Sequence, residues 1–164
     1  MMKNKTKGFT LLELSIYMGL LMIMLSVLTQ IFFSILDAKA DTQAVASTQQ
    51  DGKFLISRFN YDIKRADSIA TPQNAGEITS FLTLFIDGEQ YDYSVIDGNL
   101  FLNREGINYK VNGYNTEITQ LNFQKIGINS ESQTVKVTLE IKSRTAERGD
   151  SETEYLQTTI GLRK

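Results

Sequence analysis

Residues 9–36 read FTLLELSIYMGLLMIMLSVLTQIFFSIL, a run of 28 positions in which Glu13 is the only charge. Its other polar members are Thr10, Ser15, Tyr17, Ser26, Thr29, Gln30 and Ser34. As a helix the run is about 42 Å long at about 1.5 Å per residue, against about 30 Å of bilayer hydrocarbon, so it spans with some tilt. It is apolar on all sides, which argues against a buried core helix with one apolar stripe. A cleaved signal peptide has a shorter apolar core followed by a small-residue cut, and residues 31–40, IFFSILDAKA, do not fit that pattern. Lys3, Lys5 and Lys7 precede the run and Asp37 follows it, which places the N-terminus in the cytoplasm by the positive-inside rule.

The whole chain of 164 residues is 41% hydrophobic and 22% charged, enough for one domain plus an anchor. Net charge is −2, and without the three leading lysines 14 basic residues face 19 acidic ones, a net −5. So acidic a chain lacks the electrostatic footprint of a nucleic-acid binder, and no direct nucleic-acid binding is expected. The absence of Cys and His removes disulfides, thiolate and imidazole metal sites, and the usual nucleophilic dyads and triads. No cofactor, metal site or catalytic residue is expected, and the chain is not read as an enzyme. The acids Asp87, Glu89, Asp92 and Asp97 lack the regular spacing of a calcium loop and read as solvated turn acids.

An ordinary single-pass anchor explains the length of the run but not Glu13. An ionised carboxylate at mid-bilayer costs about 2.5–3.5 kcal/mol on insertion scales, less near the edge where Glu13 sits. It is either a snorkelling surface carboxylate or an acid that needs a partner cation inside an apolar assembly.

Gly8-Phe9-Thr10-Leu11-Leu12-Glu13, behind a short basic leader, closely resembles the processing motif of type IV prepilins and type II secretion pseudopilins. The resemblance implies that prepilin peptidase cuts between Gly8 and Phe9, on the cytoplasmic side, and N-methylates Phe9. Gly8 suits such a cut because a residue without a side chain admits close approach to the backbone. It also implies that Glu13 recruits the subunit into a filament by offsetting a neighbour's positive N-terminus. Two unit charges about 4 Å apart attract by about 4 kcal/mol at an effective dielectric near 20, and an unpaired one among apolar helices is strongly penalised.

Beyond the run, Asp37 to Ala66 lacks Pro and is rich in helix formers. Phe54 and Leu55, Arg58-Phe59, Asp62-Ile63 and Ala66 recur at steps of three and four, an amphipathic stripe for packing on a sheet. Gly52 is its weak point and reads as a bend or break. Thr71 to Gly76 reads as a loop. Strands are then predicted over Ser80–Ile86, Gln90–Ile96, Leu100–Arg104 and Ile107–Val111, ending at Asp87-Gly88, Asp97-Gly98, Glu105-Gly106 and Asn112-Gly113. Such pairs are hairpin signals, so the region reads as an antiparallel meander. Val135, Val137, Leu139 and Ile141 alternate with polar residues, as do Leu156, Thr158, Ile160 and Leu162, predicting strands with one buried face that packs on the Leu55–Ile63 stripe. Ser143–Glu154, with six charges, reads as an exposed loop. Tyr91, Tyr93, Phe101, Tyr109, Tyr114 and Phe123 read as core or cross-strand residues rather than a stacking surface for carbohydrate or nucleic acid.

The expected fold is α+β, a pilin-like lollipop with a long N-terminal helix on an antiparallel β head. Its expected parts are a cleaved leader (1–8), a membrane or filament-core half-helix (9–36), an amphipathic half-helix (37–66) and the head (67–164). The expected function is a minor pilin or pseudopilin, a structural or tip subunit. Gln30 stands where major pilins usually carry a kinking Pro, and Cys is absent; both depart from the major-subunit pattern. The head and the stretch Leu55–Ala66 are similar in kind to J-type minor pseudopilins, and the presence of Glu13 argues against the tip subclass that lacks this acid. Expected partners are prepilin peptidase, other pilins or pseudopilins through the N-terminal helix, the inner-membrane assembly platform, and membrane lipid before assembly. The competing reading is a single-pass membrane-anchored extracytoplasmic binding protein.

Overall fold

The computed structural model describes residues 9–126, 133–144 and 152–163. The leader with Gly8, and residues 145–151 of the expected charged loop, lie outside the described residues. The chain divides into two compact units, Met1–Lys39 and Ala40–Lys164. Helix α1 runs Leu11–Arg65. Among the described residues nine strands follow: β1 (Ser68–Thr71), β2 (Ile78–Thr79), β3 (Leu82–Ile86), β4 (Glu89–Ile96), β5 (Asn99–Arg104), β6 (Ile107–Lys110), β7 (Thr116–Ile126), β8 (Thr134–Ser143) and β9 (Thr153–Gly161). The fold is α+β, with antiparallel strands throughout.

The strands form two sheets. One has the order β1-β3-β4-β5-β6 and the other β2-β7-β8-β9. The β3 to β6 meander rests on three two-residue turns. Asp87-Gly88, Asp97-Gly98 and Glu105-Gly106 all have positive φ at both positions, the geometry that matches the natural strand twist. The fourth pair, Asn112-Gly113, makes no hairpin and leads instead to the second sheet. Asn112 is buried; its Oδ1 accepts from Leu100 N–H at 2.9 Å and its Nδ2 donates to Thr116 O at 3.0 Å. Gly113 N–H donates to Asp51 Oδ2 at 2.8 Å, and a Cβ on Gly113 would lie 2.4 Å from that oxygen. Glycine is there because the helix carboxylate approaches the backbone, not because a turn demands it.

In the second unit the helix packs by one stripe: Ala44, Thr48, Gly52, Leu55, Phe59, Asp62 and Ile63 are buried. Phe59 touches both sheets, meeting Tyr93 of β4 edge-on at 5.1 Å between ring centroids and Phe123 of β7 at 5.3 Å. Phe54, expected in the stripe, is 51% exposed, because of two adjacent helical residues only Leu55 can face the sheets. Gly52 does not break the helix, which runs through it. A Cβ there would sit 2.4 Å from Leu156 Cδ1 of β9, so its missing side chain is what lets helix and sheet approach. The alternation predicted at the C-terminal end is present: Val135, Val137, Leu139 and Ile141 are fully buried and pair with β9. The ends of the expected charged loop belong to these strands, with Ser143 buried and Thr153 opening β9.

The buried carboxylate of Asp62 accepts from Arg58 Nε at 2.7 Å and from the Tyr93 hydroxyl, while its other oxygen faces Arg65 Nη2 at 3.6 Å. Arg65 in turn donates to the Tyr91 hydroxyl at 3.4 Å. Burial, then the Asp62 charge and hydrogen bond, push the Tyr93 phenol well above its ordinary value. A raised pKa means that the folded chain holds this proton more tightly than the unfolded one. Its contribution to stability is therefore complete below about pH 10 and is lost as pH climbs above it.

Two outcomes are expected. Gly52→Leu overpacks the contact with Leu156 by about 1–3 kcal/mol, more than the roughly 1 kcal/mol of helix propensity gained by losing a glycine, whereas in Gly52→Ala only the rotatable Leu156 Cδ1 has to move and the gained propensity offsets that shift. Thermal melts of the chain in detergent should show the Leu variant about 5 °C or more lower and the Ala variant nearly unchanged. In urea titrations at about pH 7 and about pH 11, the wild-type chain should lose more stability with pH than Tyr93→Phe, which lacks the proton concerned.

Candidate functional site: the start of the apolar helix

In the first unit the helix is bare. From Leu11 to Leu36 its large apolar side chains are between 43% (Leu36) and 87% (Leu11) exposed. It is the one described helix long and apolar enough to cross a membrane, and its most apolar stretch is not buried at all. A surface of that kind is stable only in lipid or against other apolar helices.

Thr10 stands just outside this helix as its N-cap. Its Oγ1 accepts from Glu13 N–H at 3.2 Å, and its carbonyl accepts from Leu14 N–H at 3.1 Å. Thr10-Leu11-Leu12-Glu13 has the Thr-x-x-Glu spacing of a capping box, and the threonine half of that box is formed. Glu13 therefore sits in the first turn, where the helix dipole favours a negative charge. Its carboxylate is half-buried, and Oε1 accepts from the Tyr17 hydroxyl at 3.4 Å. Phe9 precedes the helix, 76% exposed, its ring edge-on to Tyr17 at 6.2 Å.

Of the three residues singled out from sequence, Phe9 and Glu13 are thus brought to one end of one helix, and Gly8 lies outside the described residues. Thr10 and Tyr17 were missed, although both had a signal. The capping box is a four-residue pattern, and Tyr17 stands four positions after Glu13, on the same helix face.

The remaining candidates in the head serve its structure. Tyr91, Tyr93 and Phe123 are buried. Tyr109 and Tyr114 are exposed, with Lys110 Nζ 4.5 Å over the Tyr114 ring. Between helix and sheet lies an open groove of about 560 Å³ whose lining includes Phe54, Arg58, Tyr91, Arg104 and Tyr109. Arg58 is engaged by Asp62 and Arg104 by Glu89 at 2.6 Å, so the groove offers rings rather than uncommitted arginines. Asp92 accepts from Thr83 Oγ1 at 2.7 Å and from Gln90. Among the described residues, three or more acids are nowhere gathered as a metal site would require.

Residues 3–29 match the model of the prokaryotic N-terminal methylation motif. No curated protein and no solved structure matches the chain. The chain thus carries a type IV pilin-like signal, the mark of a prepilin-peptidase substrate, on an apolar helix that fits a single-pass membrane anchor. A motif of this kind points to a structural rather than an enzymatic protein.

Thr10→Ala should weaken the first helical turn by about 1 kcal/mol, and Thr10→Ser should restore it. Amide exchange of the micelle-embedded chain reads this directly, as faster exchange at Glu13 and Leu14 in the alanine variant alone.

Proposed function

We propose that this protein is a minor pilin or pseudopilin, a non-enzymatic subunit of a type IV pilus-like or type II secretion filament. The observation that carries the reading is the coincidence, at one helix start, of the methylation motif, the capped Glu13 and an apolar surface left bare from Leu11 to Leu36. In this reading residues 1–8 are a leader removed by cleavage between Gly8 and Phe9, and Phe9 becomes the N-methylated first residue. Residues 9–36 hold the subunit in the cytoplasmic membrane, N-terminus inward, until the assembly platform moves it into a filament. Residues 37–66 carry the helix into the head, and 67–164 form its β part outside the cytoplasm.

Glu13 then meets the amine of a neighbouring subunit. Free amine and carboxylate are both poorly solvated in lipid, and their pairing removes two penalties at once. The absence of Cys, and Gln30 in place of the usual proline, favour a minor over a major subunit.

Mass spectrometry of the protein purified from its host tests the reading. The expected N-terminus is methyl-Phe9; a chain beginning at Met1 or Met2 would leave the anchored binding protein as the better account. Gly8→Glu should block cleavage completely and leave a longer, membrane-bound precursor on an immunoblot.

A further inference from the structure

The apolar run contains one phenol in its first three turns, and a phenylalanine there would be better suited to lipid. A hydroxyl in hydrocarbon is costly unless it is hydrogen-bonded. Tyr17 has found a partner. Side chains on a helix lean toward its N-terminus, so Tyr17 reaches back one turn over Glu13 and a second turn to Phe9. Its hydroxyl donates to Glu13 Oε1 at 3.4 Å, and its ring stands edge-on to Phe9 at 6.2 Å with an interplanar angle of 69°.

The neighbouring hydroxyls make other hydrogen bonds. Ser15 Oγ donates to Leu12 O at 2.7 Å, and Thr10 Oγ1 accepts from Glu13 N–H. A carboxylate has about four acceptor positions, and an unmet one in hydrocarbon is penalised. The Tyr17 O–H occupies one position on Oε1 and leaves Oε2 to accept from an incoming cation. The same ring packs on the residue that the proposed cleavage makes the first of the mature chain.

We infer that Tyr17 is a positioning residue for assembly: its hydroxyl orients the Glu13 carboxylate, and its ring holds Phe9, before a neighbouring subunit's amine arrives. The inference rests on the reading of Glu13 as the assembly acid. In this role Tyr17 acts through Glu13.

The test is a double-mutant cycle in the filament-producing host, with Tyr17→Phe, Glu13→Ala and both together. Cleavage is read by immunoblot and incorporation by the amount of subunit in sheared filaments. Tyr17→Phe keeps the ring on Phe9 and removes only the hydroxyl. It should be cleaved normally and incorporated about tenfold less, as befits one hydrogen bond to a charged group. In the Glu13→Ala background the same change should cost nothing further, a coupling that a merely structural tyrosine would not show. Wild-type incorporation of Tyr17→Phe beside a defective Glu13→Ala would overturn the inference and leave the role of Glu13 standing. So would losses that multiply in the double variant. Normal incorporation of Glu13→Ala itself would overturn both.

Discussion

Phe59 is held between two aromatic rings from different sheets, Tyr93 on one side and Phe123 on the other, with no exposed surface. Burial of one such side chain is worth about 1.5–3 kcal/mol, but its position matters more than its area. The two sheets share few contacts of their own, and the helix stripe is the surface on which both close. Leu55 and Ile63 flank Phe59 one turn to either side and are equally buried. Around this stripe the polar groups are fixed as well. Asp51 ties the helix to the junction between the sheets, and Asp62 ties it to β4 through Tyr93. These acids make the rotation of the helix specific, since turning it would carry Asp51 away from Gly113 and Thr116, and Asp62 away from Tyr93.

The same helix obeys a different rule in its first half. There, no stripe is selected, every side is apolar, and the polar groups are satisfied locally: Thr10 by the first turn, Ser15 and Thr29 by carbonyls three and four residues back, Glu13 by Tyr17. A segment built this way needs no partner protein to remain folded in lipid. Glu13 Oε1 takes the Tyr17 hydroxyl, and in the proposed filament Oε2 is the oxygen that would meet a neighbouring amine.

Much of this was legible in the chain because the signals were local. The apolar run, the Asp-Gly and Glu-Gly turns and the strict alternation over 134–142 each depend on neighbours within a few residues. Strand β7 was not legible. Its buried residues are Thr116, Ile118, Leu121 and Phe123, and a bulge between Ile118 and Gln120 shifts the inward phase by one, so no single period describes it. Strands β1 and β2 are four and two residues long, too short to show a period at all. Gly52 and Gly113 were misread for one shared reason: glycine signals a turn or an unhindered approach, and only a partner distant in sequence, Leu156 or Asp51, decides which. At the helix start the reverse held, since Thr10 and Tyr17 lay in plain four-residue patterns that the stronger Gly-Phe and Glu13 signals overshadowed.

The three tight turns that join β3 to β6 pair each strand with its immediate successor. Ladders of that kind close early, because little chain entropy is lost before contacts form. The other sheet must wait, since β8 and β9 follow the meander in the chain and β7 has its longest ladder with β8. A polypeptide emerging N-terminus first therefore passes through a stage in which the meander has covered one flank of Phe59 while the opposite flank is still naked. That half-finished head is the species a chaperone or protease would meet, and the arrival of β8 and β9 is what ends its vulnerability.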